Sequence, residues 1–386
     1  MRFELFLQQI VNFLPVFPQQ LAERMRQTKS KPAKATISTA KKSRKPKRFS
    51  SDSLLGMSDQ QLLDKRICDL DVSINGTWLE PLIQQVGSEL STHNLRIKPH
   101  CWLADEWFSP DGIPGIGIPF YLAHPRLMRL ERKQMFEVEG GTKAWCLRIL
   151  RHEVGHAIDT AFRLHRRKSY KQIFGNYFAP YPDHYRPKPQ SKKFVNHLDA
   201  WYSQSHPAED FAETFAVWLN PRSAWQKKYE GWEAIEKIYF VEELMGSIAG
   251  KAPPVRSRAK VDPAHRLTMT LREYYQARHD RFGFDCPKTF DSDLRKLFAR
   301  GPKTGTTLTA AKFLHSIRSE VCRVVSEWTG EYRYNINLVL QEMIEHCREL
   351  DLRATGCLEK LKYRATVMVT VHATNYLHGG HHRVSL

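Results

Sequence analysis

The stretch RHEVGHAID, residues 151–159, holds the side chains with the clearest capacity for chemistry. On a helix, His152 and His156 stand at i and i+4 and share one face, as two imidazoles must to reach one metal ion. Glu153, next to the first histidine, can stand beside that ion without ligating it and take a proton from a water. Asp159 falls on the same side, where it can orient a histidine or, as the lesser alternative, ligate the ion itself. Leu147, Leu150, Val154, Ile158 and Ala161 project nearly opposite. A chance surface pattern is the competing explanation in a chain with 17 histidines, but a solvated helix needs no apolar side.

A catalytic zinc takes three protein ligands and keeps a fourth position for water. The best source of the third is Glu209-Asp-Phe-Ala-Glu213, on a helix bracketed by Pro207 and Asn220-Pro221. Glu209 and Glu213 lie one turn apart on one face, with Phe211, Phe215 and Trp218 on the other. Like charges at i,i+4 repel. A cation bound by one carboxylate, with the other hydrogen-bonded to a ligand histidine, relieves that repulsion. Glu209 is therefore expected as the third ligand and Glu213 as the carboxylate behind a histidine, for one zinc per chain. An ordinary acidic helix face remains the alternative.

HExxH followed by a Glu-x-x-x-Glu helix is the gluzincin pattern of zinc peptidases. HEVGHAID with YSQSHPAEDFAE resembles the catalytic domain of anthrax lethal factor, where a tyrosine stands seven residues before the ligand glutamate. Here that position is Tyr202, and the resemblance implies that it donates to the oxyanion; packing against the helix is its other reading. GTWLEPLI, the run FYLAHPRLM to RHEVGHAID, and HLDAWYSQSHPAEDFAETFAVWL are similar to the bacterial family called putative zinc-binding metallopeptidases. That likeness covers roughly residues 60–300 and implies the fold and the metal rather than a substrate.

The elements around these residues are mostly helical. SDQQLLDKRICDL opens with a serine cap, and GTWLEPLIQQVGSEL carries a helical apolar pattern. LRIKPHCWLADEWF alternates like a strand, and the Gly/Pro-rich run after it predicts loops and a short strand. A helix is expected over Thr142–Leu164, an ordered loop over 166–192, and helices at HPAEDFAETFAVWLNP and EGWEAIEKIYFVEELMG. Residues 250–266 read equally as a linker or a covering loop. KYRATVMVTVHATNYL is open between helix and strand. The fold class expected is a zincin-like α+β domain, helix-rich with a small sheet whose edge could align a peptide, plus a mainly helical C-terminal extension. The divisions are 1–50, 51–250 and 251–386.

Composition limits the remaining choices. The chain has 386 residues with 41% hydrophobic content, enough for a sizeable core. Its net charge of +18 is uneven, since Arg26 to Ser50 holds ten Lys/Arg and no acid. That arm predicts disorder, with solvation as its ordinary role and weak nucleic-acid or acidic-surface contact as a second one. The patchy, amphipathic N-terminus lacks a signal peptide's clean apolar core, and no stretch is a transmembrane segment. Seven scattered cysteines argue against a disulfide framework. A cytoplasmic location is expected. His378–His382 reads as a tail; His184, His197 and His206 are open between substrate contact and surface. GIPGIG lacks the setting of a dinucleotide loop.

These features point to zinc-dependent hydrolysis of a peptide or other amide bond, with a peptide or protein as substrate. The rival is a non-enzymatic basic binding protein with a structural metal site. Glu153 separates them, because a structural site has no use for a carboxylate beside an open position and would be closed by four ligands.

Overall fold

The computed structural model describes residues 51–182, 184–185, 188, 190–282, 290–300, 308–331, 333–376 and 384–385. The basic arm and the His378–His382 cluster lie outside them. Among the described residues, 51–130 with 139–274 make one unit, and 131–138 with 275–385 make the other. Residues 251–274, expected in the C-terminal region, thus fall in the first unit.

In the first unit, α1 (Asp59–Leu63) starts at Ser58, whose hydroxyl accepts from Gln61 N while the Gln61 side chain returns to Ser58 N, a reciprocal cap. Helix α2 (Leu79–Thr92) buries Leu79, Leu82, Val86 and Leu90 at helical spacing. Strands β1 (His100–Ala104) and β2 (Gly115–Pro119) pair in parallel, from His100 opposite Gly115 to Ala104 opposite Pro119. The last three residues of GIPGIG thus open a fully buried strand. Phe108 forms an antiparallel bridge to Gly117, with hydrogen bonds of 2.8 and 3.4 Å, so β2 is flanked on both sides there. The segment 250–266 is a covering loop at β1: the Trp102 indole N–H donates to the Val261 carbonyl at 2.8 Å.

Helix α3 (Lys143–Phe162) carries the two histidines. It starts at Thr142, whose hydroxyl accepts from Trp145 N, and stops at Arg163 in the left-handed conformation. Within 166–192 the structure has a short helix, α4 (Lys168–Phe174), where a loop was expected. Helix α5 (Pro207–Leu219) has proline in its first turn, where the missing N–H costs nothing. The Asp210 carboxylate on α5 meets Lys237 of α6 (Ala234–Ile248) at 2.5 Å.

Helices α3 and α5 pack closest at Gly155. A Cβ there would lie 2.8 Å from the Ala212 Cα and 3.1 Å from its carbonyl oxygen. Only a residue without a side chain permits that approach, which brings the His152/His156 face of α3 against the Glu209/Glu213 face of α5. On the far side of α3, the Arg151 guanidinium forks onto Glu89 of α2 at 2.7 and 2.8 Å, both side chains buried.

The second unit is built mainly of helices, the longest being Ala310–Thr329, Arg333–Glu349 and Leu358–Tyr376. They share a core that includes Leu314, Val325, Leu340, Met343, Ala365 and Val369. The ambiguous KYRATVMVTVHATNYL run is helical through Tyr376; Leu361, Ala365, Val369 and Ala373 bury one stripe at i, i+4 spacing. A two-stranded antiparallel pair, Ala299–Arg300 with Leu352–Arg353, completes it.

Candidate metal centre

Helices α3 and α5 bring His152, His156 and Glu209 together. His152 Nε2 and His156 Nε2 are 3.1 Å apart, and Glu209 Oε2 lies 3.0 Å from the first and 3.1 Å from the second. Donors bound at about 2.0–2.1 Å to a tetrahedral zinc stand about 3.3 Å from one another, so this triangle has nearly the size of a zinc-ligand face. These three are the only group of His, Cys, Asp or Glu among the described residues able to close on one ion. The six described cysteines are free and contribute nothing to it.

Two of the three donors are oriented from behind. His152 Nδ1 is 2.9 Å from Glu213 Oε1; a proton on that nitrogen donates to the carboxylate and leaves the Nε2 lone pair facing the triangle. The other Glu213 oxygen accepts from Leu198 N at 2.8 Å. Glu209 uses Oε1 to accept from the Tyr181 hydroxyl at 2.8 Å, so only Oε2 points at the histidines. Tyr181 is itself fixed by stacking on His206, ring centroids 3.8 Å apart. His206 caps α5 by accepting from Ala208 N through Nδ1, and its Nε2 reaches the Ala179 carbonyl at 3.0 Å. Tyr181 lies in the run 166–192, and its contact with Glu209 leaves no spacing signal in the sequence.

Glu153 is buried beside the triangle but outside it, and its Oε2 has no hydrogen-bond partner among the described residues. Its backbone carbonyl lies 3.0 Å from the Ser109 hydroxyl, which is also 3.0 Å from the Gly115 carbonyl at the start of β2. Strand and helix are thus tied at the residue next to His152. Burial pushes the Glu153 carboxyl above its ordinary range, against the pull of His152 and His156. Burial would also raise Glu209, but the charges and hydrogen bonds of the two histidines hold it well below the usual carboxylate range. Burial opposes charge on His152 as well, yet hydrogen bonds to Glu209 and Glu213 raise its pKa well above the ordinary value. Three buried carboxylates facing two imidazoles call for positive charge, and a divalent cation on the three donors supplies it. The residues present fit zinc.

Tyr202 lies in the 3₁₀ turn Asp199–Gln204, its ring centroid 5.6 Å from that of His152. Asp159 holds a histidine, but it is His165. One Asp159 oxygen accepts from the His165 backbone N at 2.7 Å and faces the ring Nδ1 at 3.0 Å. The three-donor group does not include Asp159. The open question over His197 and His206 resolves to burial. His197 points Nε2 at the Arg148 carbonyl, 2.9 Å away, and burial lowers its pKa to about 4. The His184 side chain is outside the described set.

Residues 132–244, which contain both α3 and α5, match the model of the family described as putative zinc-binding metallo-peptidase. No curated protein and no solved structure matches the chain. Among the described residues no helix is long and apolar enough to cross a membrane.

Proposed function

We propose that this site hydrolyses a peptide bond, with one zinc on His152, His156 and Glu209 and with Glu153 as general base. One observation carries the proposal: a buried carboxylate with an unpartnered oxygen stands beside a three-donor cluster. A bound zinc would polarise the scissile carbonyl and lower the pKa of water at the position the protein leaves free.

The chain's own residues supply the rest. Glu153 Oε2 is unpartnered and can accept a proton from the attacking water, then return it to the leaving amine. Burial pushes the Glu153 carboxyl above its ordinary range, which makes it a stronger base than an exposed carboxylate. Glu213 and Tyr181 hold His152 and Glu209 in ligating orientation. Tyr202, packed near the His152 ring, is assigned the hydroxyl that stabilises the oxyanion. The family match over 132–244 supports a metal-dependent peptidase in general terms. A purely structural zinc is disfavoured because such sites close with four protein ligands, whereas three donors cluster among the described residues.

The test is Glu153→Gln, which keeps size and helix position but cannot accept the proton. Zinc-loaded wild type and variant are incubated with a proteome-derived peptide library, and products are read by mass spectrometry. The variant should keep its zinc and lose about 10²–10⁴-fold in rate. Cleavage at the wild-type rate would end the general-base assignment, and a wild type that cleaves no peptide would end the peptidase assignment.

A further inference from the structure

A recess of about 630 Å³ opens in the first unit between the segment that enters β1 and residues 253–258. Its charged lining is entirely basic: Arg96, Lys98, Arg256 and Arg258, with His100 beside them and no acid. The volume is within the roughly 300–1,000 Å³ of ligand pockets, and the recess is half open to solvent.

The cations have a regular placement. Leu95 and Ile97 are buried while Arg96 and Lys98 are exposed, so the segment alternates and its two cations share the outward face, about 7 Å apart. Arg256 and Arg258, also i and i+2, lie in a fully exposed stretch of the lining, where Arg256 Nε donates to the Pro253 carbonyl at 2.9 Å and leaves its terminal nitrogens outward. All four cations are exposed and none of the lining residues is acidic, so an anionic occupant is the one whose charge complements them. Guanidinium forks match carboxylates with two hydrogen bonds each. An extended peptide sets alternate side chains on one face at the same spacing of about 7 Å.

We propose that this recess binds an extended, carboxylate-rich stretch of polypeptide, its alternate acidic side chains reaching the Arg96–Lys98 and Arg256–Arg258 pairs. Nucleic acid fits the lining less well. Duplex readers project a helix or ribbon into a groove, and single strands are held on aromatic platforms. Here the cations line a hollow, and the lining ring, His100, is already stacked on Trp102 with centroids 5.1 Å apart. The recess is also joined to the metal helix: Val255, on its wall, donates its backbone N–H to the Ala161 carbonyl of α3 at 3.1 Å. That the bound stretch belongs to a substrate rests on the peptidase proposal. The binding does not, and the test reads binding alone.

The probe is a fluorescein-labelled octapeptide of alternating glutamate and alanine, titrated with the full-length protein and followed by anisotropy at two salt concentrations. Arg256→Glu with Arg258→Glu should weaken binding at least about tenfold. Arg96→Gln with Lys98→Gln should weaken it severalfold, and the wild-type affinity should fall with salt. Arg222→Glu with Lys227→Glu, exposed positions outside the recess, makes the same charge change and should leave affinity within about twofold. Circular dichroism of all variants checks the fold. Equal weakening by the two charge reversals would overturn the proposal, since the binding would then follow net charge. Tighter binding of a labelled oligothymidylate, lost with the same recess residues, would overturn the ligand class.

Discussion

Gly155→Ala tests how two helices are held close enough to share a metal ion. The new Cβ would stand 2.8 Å from the Ala212 Cα and 3.1 Å from its carbonyl oxygen. Carbon atoms in contact prefer about 3.5–4.0 Å, so α3 and α5 must part by about 0.7 Å at their crossing. Both obstructing atoms are backbone, and no side chain can swing away. Overpacking of this kind costs about 1–3 kcal/mol. Relief of a helical glycine returns up to about 1 kcal/mol, leaving a net loss of about 0–2 kcal/mol. The metal should suffer more. Ligand distances tolerate about 0.2 Å, and the parting moves Glu209 away from both histidines, so zinc affinity should drop at least about 10–100-fold. Denaturant midpoints give the first quantity and competition against a chelator the second. Gly87→Ala in α2 is the control, because a Cβ there meets nothing within 4 Å; it should stabilise by up to about 1 kcal/mol. If Gly155→Ala behaves like Gly87→Ala and keeps wild-type zinc affinity, the close-approach reasoning is wrong.

Tyr181→Phe removes the donor to Glu209 Oε1 and should weaken zinc about tenfold with the thermal midpoint nearly unchanged; unchanged affinity in chelator competition would show the tyrosine only packs. Lys237→Met leaves Asp210 buried without its cation and should cost about 3–5 kcal/mol. Burial already lifts the Asp210 carboxyl to about 7 against the pull of Lys237, so losing that pull raises it further. A raised acid favours the fold while protonated and disfavours it once ionised. The deficit should therefore be larger at pH 8 than at pH 5, and a deficit independent of pH would contradict this.

The two helices that carry the donor cluster were legible because their information is local. His152 and His156 share a face through the helical period alone, and the carboxylates of α5 follow from the Pro207 and Asn220-Pro221 brackets. Gly155 also left a signal, since a glycine inside a helix is costly unless something packs against it. What lay beyond the sequence was long-range. Tyr181 meets Glu209 across 28 residues from a run that shows no period. His206 looked free for a surface or substrate role, yet it is a buried helix cap, because the run carrying Ala179 and Tyr181 folds over it. Asp159 lies on the expected side of its helix, but the turn after α3 brings His165 to it before either ligand histidine. The short helix Lys168–Phe174 was hidden by basic and aromatic residues; Tyr170 and Phe174 turn out to pack on Phe211 of α5.

The central claim is that one zinc rests on two residues of α3 and one of α5, and elemental analysis of the purified full-length chain tests it most directly. Wild type should carry close to one zinc per chain, while His152→Ala and Glu209→Ala, each verified as folded, should lose most of it. A folded wild type without zinc under zinc-replete conditions, or full zinc in both variants, would contradict that claim.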